Sequence, residues 1–360
     1  MYKVVTVVVD RYSLPKLNKQ GVIMNHLYCG IDISKETAVL CLLDSEANPL
    51  GKTTTFNNNP QGFREAIKWL RKLSRPFKPY SVHVSMEATN VYYLCLAKFF
   101  SNQTSITVSV VNPSQVKSYA KAELVRTKTD GVDATIIARF TKTMNPAPWT
   151  PPEPHEEEML SLLRHIESIK GMIQAEKNRL LTLEEIGSTT ANVQRAIKKH
   201  IKFLESQIDD LTGKLKKLVK KHSEIDDNIK LLCSIPGIGD TTAYMLIAGI
   251  GNIDRFENVK QLVAYAGIAP AQRQSGTSVR GKSMINKHGS KRLRKVLYMP
   301  AMVAVQYNSV IGKFYQKLLS AGKKPLCALV ACMRKLLHIV YGVLKNKKHF
   351  DPAWNKPFLA

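Results

Sequence analysis

The sequence has no Cys-x-x-Cys pair. Its six cysteines, Cys29, Cys41, Cys95, Cys233, Cys327 and Cys332, are scattered through apolar segments. That spacing excludes a zinc ribbon and a disulfide framework, and it fits buried free thiols in a reducing cytoplasm. Long apolar runs are also missing. Val4 to Val9 is stopped by Asp10 and Arg11, too short for a signal-peptide core, and no run is read as reaching bilayer length. Acid is scarce: 28 Asp and Glu face 53 Lys and Arg, a formal charge of +25. Such an excess repels itself unless a polyanion is the partner, so nucleic acid is the first expectation and an anionic membrane the second.

With 360 residues and 44% apolar content, the chain can build two ordinary domains with real cores. Residues 1–26 have no clear periodicity and read as an arm, dispensable or reflecting an upstream start. Strands are expected at 27–33, 37–43, about 52–56, 79–86 and 105–111. Helices are expected at 60–73, 90–100, 113–120 and 130–142. Strands interleaved with helices mean an α/β sheet. Residues 145–155 hold five prolines between Asn145 and Pro154, which neither helix nor central strand tolerates, and form a linker.

Beyond it the pattern is helical. Leu162, Ile166, Ile169, Ile173, Leu180 and Leu183 make one seam, with Glu176 as its polar gap. Ile197, Ile201, Leu204, Ile208, Leu211, Leu215 and Leu218 make a second. Residues 156–227 are therefore expected to form a helical hairpin with a lysine-rich outer face. Residues 228–350 read as mainly helical with basic loops, and 351–360 as a tail.

Two constellations carry chemistry. Asp32 ends the first strand, Glu87 ends the fourth, and Asp130 and Asp133 lie three apart at a helix start. Strand C-termini of α/β sheets are where ligands and catalysts sit. Four converging carboxylates repel without cations, and hard oxygen ligands in that number call for Mg2+. Each acid alone has a plainer reading: Asp130 as a helix N-cap, Asp32 as a turn residue.

The second constellation lies downstream. Pro236-Gly237-Ile238-Gly239 precedes a helix and resembles a helix-hairpin-helix grip on a phosphate backbone, with Gly237 and Gly239 supplying free N–H groups; a plain interhelical turn is the alternative. From Ala271 to Leu297 there are eight Lys or Arg and no acid. Arg273, Arg280, Lys282, Lys287, Lys291 and Arg292 are the candidate nucleic-acid contacts. Ser275, followed by Gly276, sits among them. Composition alone leaves it open between a nucleophile and a phosphate-contacting loop residue.

The segments YCGIDISKE, MEAT, NPSQVKSYA, RTKTDGVDA, SIPGIG, AYAGIAP, QSGTSVRGK and LRKVLYMPAM resemble, in kind and order, the DEDD transposases of the insertion-sequence one-ten family, described as bridge-RNA-guided recombinases. The resemblance runs from about Tyr28 to Phe350. It implies a RuvC-like, RNase H-type domain over 27–144, a coiled-coil connector, and a C-terminal transposase domain. It implies that Asp32, Glu87, Asp130 and Asp133 bind Mg2+ and that Ser275 forms a serine–DNA phosphodiester. It further implies donor and target DNA, a structured noncoding RNA and a homo-oligomer (dimer or tetramer) as partners, with no membrane, in a prokaryotic cytoplasm at the nucleoid. The competing reading is a structure-selective nuclease or Holliday-junction resolvase using the carboxylates alone. A non-enzymatic nucleic-acid scaffold is the third.

Overall fold

The computed structural model describes residues 24–88, 90–186, 191–271, 274–275, 279–280, 284–286 and 289–353. The chain divides into two compact units, Met1–Pro151 and Pro152–Ala360. The division falls inside the proline linker.

The first unit is a five-stranded sheet in the order β3-β2-β1-β4-β5. Its strands are β1 (Asn25–Ile33), β2 (Thr37–Leu43), β3 (Thr54–Asn57), β4 (Tyr80–Glu87) and β5 (Ile106–Val111). β1 begins two residues inside the segment read as an arm. β1, β2 and β3 pair antiparallel, while β4 and β5 run parallel to β1. Alternation decides which side chain faces where. Leu27, Cys29, Ile31 and Ile33 turn one way, with Val82, Val84 and Met86. They meet Phe63, Ala66, Ile67 and Leu70 of α1 (Pro60–Ser74) and Leu96, Ala97 and Phe100 of α2 (Tyr93–Ser101).

The opposite face of the sheet receives α4 (Asp130–Met144). Its Ala134 and Ala138 pack on Val39, Cys41 and Leu43. α3 (Pro113–Ala122) joins α4 through Val116, Ile136, Ile137 and Phe140, over Val111.

The second unit is mainly helical. α5 (Pro154–Ile186) and α6 (Ala191–Lys221) pack along Ile169, Ile173, Ile197, Ile201 and Leu204. Lys198 pairs with Glu184 and Lys177 with Glu205, so residue numbers fall along one helix as they rise along the other and the pair is antiparallel. Glu176, the polar gap in the seam, is bound by Arg179 and His200. At the other end of these helices the seam hands over to a larger core. Met159, Leu163, Leu215 and Val219 pack there with α7 (Ser223–Cys233), α8 (Asp240–Ile250), α9 (Val259–Ala266), α10 (Lys291–Tyr307), α11 (Ser309–Ser320) and α12 (Pro325–Asn346). α7 starts inside the segment read as hairpin, because Ile229, Leu231 and Leu232 belong to this larger core.

Two features depart from the sequence reading. Among the described residues the terminal segment carries four two-residue strands, paired as β6 (Pro270–Ala271) with β9 (Met284–Ile285) and β7 (Gln274–Ser275) with β8 (Val279–Arg280). Strands so short leave no periodicity to read. Second, α12 is long and apolar enough to cross a membrane by length and composition, contrary to expectation. Much of its apolar surface is internal: Cys332, Leu336, Leu337 and Val340 are fully buried in the core of the unit, while Leu326 near its start is exposed.

Candidate active site

β1 and β4 run in register from Asn25 beside Tyr80 to Ile31 beside Met86. One step further brings Asp32 alongside Glu87, on strands about 4.8 Å apart. Both side chains lie on the α4 face, because each is one residue past a position turned toward α1 and α2.

The approach of α4 depends on Gly30, two residues before Asp32 on the same face. A Cβ at position 30 would stand 2.1 Å from the Ala134 carbonyl oxygen and 2.3 Å from the Ala138 nitrogen. Only a residue without a side chain lets the helix backbone lie directly on the strand. α4 then delivers its first turn to the C-terminal end of β1. Thr129, not Asp130, caps that helix: its hydroxyl accepts from the Val132 N–H at 3.3 Å. Asp130 and Asp133 are thus released from capping and sit in the first turn, where the helix dipole favours negative charge.

Electrostatics ties the four together. Burial raises the Asp32 carboxyl above the ordinary carboxylate range, and the charges of Asp133 and Asp130 raise it further. Burial does the same to Glu87, helped by Asp32 and Asp133. Lys128 opposes both shifts, and Lys117 opposes that of Glu87. These two lysines were not singled out from the sequence, although Lys128 sits two residues before Asp130. No three acidic, His or Cys side chains among the described residues converge as a ready cage for a metal ion.

The second unit is more mixed. Ser275 lies on β7 and pairs with Val279, while Gln274 pairs with Arg280. Beyond the backbone of these strands, the side chains of Ser275 and Arg280 lie outside the described residues, as do Arg273, Lys282 and Lys287 entirely. Lys291 is exposed at the start of α10, as a phosphate contact requires. Arg292 is not: all three guanidinium nitrogens are buried without a hydrogen-bond partner, near Glu167 and Arg164 of α5. Arg294 is committed to structure, donating to the carbonyls of Ala266 and Gly289.

Gly237 also differs from expectation. Its φ is +105°, and a Cβ there would stand 2.9 Å from Ala304 and from the Pro300 carbonyl oxygen of α10. Its glycine serves close packing on α10 rather than an open grip. Gly239 does face open space. Beside it, however, exposed Asp240 adds a negative charge at the same helix start and accepts a weak bond from the Cys233 thiol at 3.4 Å. Burial and this bond push that thiol up to about 11.

Comparison with known proteins decides what these units are. A DEDD transposase model of the IS110 kind matches residues 29–185, and a model described as transposase IS116/IS110/IS902 family matches 229–316. The pilin gene-inverting protein of Moraxella bovis is 33% identical over 329 residues, 91% of this chain and 98% of that protein. This chain belongs to the IS110/IS116 transposase family. More distant relatives of this transposase include the transposase for insertion sequence element IS1111A of Coxiella burnetii, 25% identical over 68% of this chain and 73% of its own length. Another is the Streptomyces coelicolor insertion element IS110 protein, 24% identical over 47% of this chain and 39% of its own length. The protein is accordingly an enzyme of DNA transposition, with DNA as its substrate.

Proposed function

We propose that this transposase cleaves and exchanges DNA strands with Asp32, Glu87, Asp130 and Asp133 as a divalent-metal site and Ser275 as the nucleophile. The reading rests above all on one observation: four carboxylates from β1, β4 and α4 share one field at the end of one sheet. The strand order, three antiparallel strands followed by two parallel ones, fits an RNase H-like, RuvC-type domain. The α5–α6 pair fits a coiled-coil connector, and the turn before α8 a helix-hairpin-helix-like element.

The residues suit Mg2+ chemically. All four donors are hard oxygens, and burial followed by the charges of neighbouring acids raises the carboxyls of Asp32 and Glu87, an effect that a divalent cation opposes. Asp32, Glu87, Asp130 and Asp133 would hold the ion. When bound, it supplies Lewis-acid stabilisation of charge on the reacting phosphate. The protein's own residues do the rest. The hydroxyl oxygen of Ser275 gives up its proton to solvent and forms a bond to phosphorus as the bond to the leaving sugar oxygen breaks, that oxygen taking a proton from solvent, and the basic segment from Arg273 to Lys291 holds flanking phosphates.

The carboxylates and Ser275 belong to separate compact units, more than 140 residues apart in sequence from Asp133. A homo-oligomer, dimer or tetramer, belongs to the same reading. Target choice is assigned to a structured noncoding RNA that pairs with donor and target DNA. The relative of Moraxella bovis is named for gene inversion. The same strand exchange inverts a segment when both sites lie on one molecule, so inversion is the second reading of outcome.

The test is covalent trapping. Wild-type protein incubated with DNA carrying the element's ends should yield a protein–DNA adduct stable to denaturant, and Ser275→Ala should yield none. Asp32→Ala should lower recombination by at least about a thousandfold. An adduct that persists in Ser275→Ala rules the serine out. Cleavage that survives in that variant without an adduct assigns hydrolysis to the carboxylates alone.

A further inference from the structure

The acidic end of the sheet presents a problem for its own substrate. Carboxylates that share one field at the end of the sheet repel a phosphodiester backbone, and a metal ion answers for the reacting phosphate only. Some fixed cation must hold the strand against that repulsion.

Lys117 and Lys128 stand where such cations are needed. α3 rises directly from β5: Val111 is the register partner of Glu87, the Ala88 N–H donates to the Val111 carbonyl at 2.9 Å, and Asn112 caps the helix. Lys117 lies just past the first turn of α3. Lys128 comes immediately before Thr129, the cap of the helix that carries Asp130 and Asp133. The two lysines therefore flank the quartet from two different elements.

Their state is equally telling. Both side chains are exposed. Both are near enough for their charge to act on Glu87, and Lys128 acts on Asp32 as well. Yet neither closes a direct ion pair with an acid among the described residues. Arg139, on the same unit, behaves differently and is paired with Glu123 at 3.5 Å. A cation that only balanced the carboxylates would sit against one of them. An ammonium held close but unpaired keeps its donors for a ligand, and a flexible lysine stem suits a phosphate whose position is set by something else.

We propose that Lys117 and Lys128 are a pair of phosphate-binding residues that hold the DNA backbone on either side of the carboxylate site. The proposal rests on the reading of that site as the phosphoryl-transfer centre. Lys117 acts on Glu87 from α3, and Lys128 acts on Glu87 and Asp32 from the segment before α4, so a strand held by both is held close to the quartet.

The experiment uses the full-length protein and a fluorescent 40-base-pair DNA duplex, with binding measured across a salt series. Strand cleavage of DNA carrying the element's ends is measured in parallel. The double variant Lys117→Met/Lys128→Met should reduce the slope of log affinity against log salt by about 2, one for each lost phosphate contact. Cleavage at saturating DNA should fall by about tenfold or more, and Lys117→Arg/Lys128→Arg should restore the slope. An unchanged slope overturns the proposal whatever happens to cleavage, since charge balance inside the site would not change the number of phosphates gripped. Asp32→Asn is assayed alongside. If it still cleaves, the reading of the quartet fails. If it is dead while the lysine variants keep the full slope, only the lysine pair fails.

Discussion

Asp32 and Glu87 stand at the ends of strands nine and eight residues long, whereas Ser275 stands on a ladder of two residue pairs. The acids are fixed by a parallel register, by two helices beneath the sheet and by a third whose backbone meets the sheet directly at Gly30. The serine strand has one partner strand of its own length. The difference follows from charge. Carboxylates brought together push apart, so they must be anchored where backbone bonds and apolar packing are densest. A lone hydroxyl carries no such repulsion, and two rungs suffice to display it.

The sharpest way to break this contrast is to disturb the platform without touching an acid. Gly30→Ala forces a Cβ into the backbone of α4, with no flexible side chain to give way. It should destabilise the first unit by ~3 kcal/mol or more and abolish activity, leaving the second unit intact. Limited proteolysis read separately at each unit checks this; a fully protected first unit would show that the helix can lift off at little cost.

Gly237→Ala makes the matching cut in the second unit. A positive φ and a 2.9 Å approach to α10 should together destabilise that unit by about 2 kcal/mol. Hydrogen exchange in α8 and α10 should rise, with protection of the sheet unchanged. An effect larger than that of Gly30→Ala would reverse the ranking of the two platforms.

The smallest effect concerns charge itself. Asp32 and Glu87 have raised folded-state pKa values, so the folded form holds their protons more tightly than the unfolded chain does. Their stabilising contribution is complete below the ordinary carboxylate pKa of about 4 and is lost as pH rises through the raised folded values. Without divalent cations, acidifying from neutral pH should therefore stabilise the first unit relative to the second. Asp32→Asn should flatten that dependence and raise the melting temperature at pH 7 by about 3 °C. A lowered melting temperature would mean that the quartet is not in conflict with itself.

Much of the first unit was legible because its strands and helices are long enough to show a period. The expected α1, 60–73, became Pro60–Ser74, and the expected strand 37–43 matched Thr37–Leu43. The acids were legible as strand-end and helix-start residues. What the sequence hid was contact. Gly30 could be read as a glycine inside a strand, but not as the floor on which α4 rests. Thr129 displaced Asp130 as the cap, a choice between neighbours that depends on backbone angles. Lys117 and Lys128 belong to the site only because β5 pairs with β4 and α4 lies on β1. In the second unit Arg292 sits in a basic run, and no local pattern reveals that its guanidinium is buried near Glu167 and Arg164 of α5. Gly237 likewise looked like an open turn until α10 was placed against it.

The segment that carries Ser275 leaves and rejoins its unit at one point. Gly267 and Gly289 lie back to back, so that a Cβ on Gly289 would stand 2.3 Å from the Gly267 nitrogen. Ser290 N–H donates to the Tyr265 carbonyl at 2.7 Å, and Arg294 ties the two sides by donating to Ala266 and Gly289. A neck this narrow makes the 267–289 excursion topologically an insertion. Its ends are already joined, so its length and sequence can change without altering the scaffold below. Ser275 is thereby carried on a cassette: exchanging it between relatives would replace the serine segment while leaving the helices beneath unchanged.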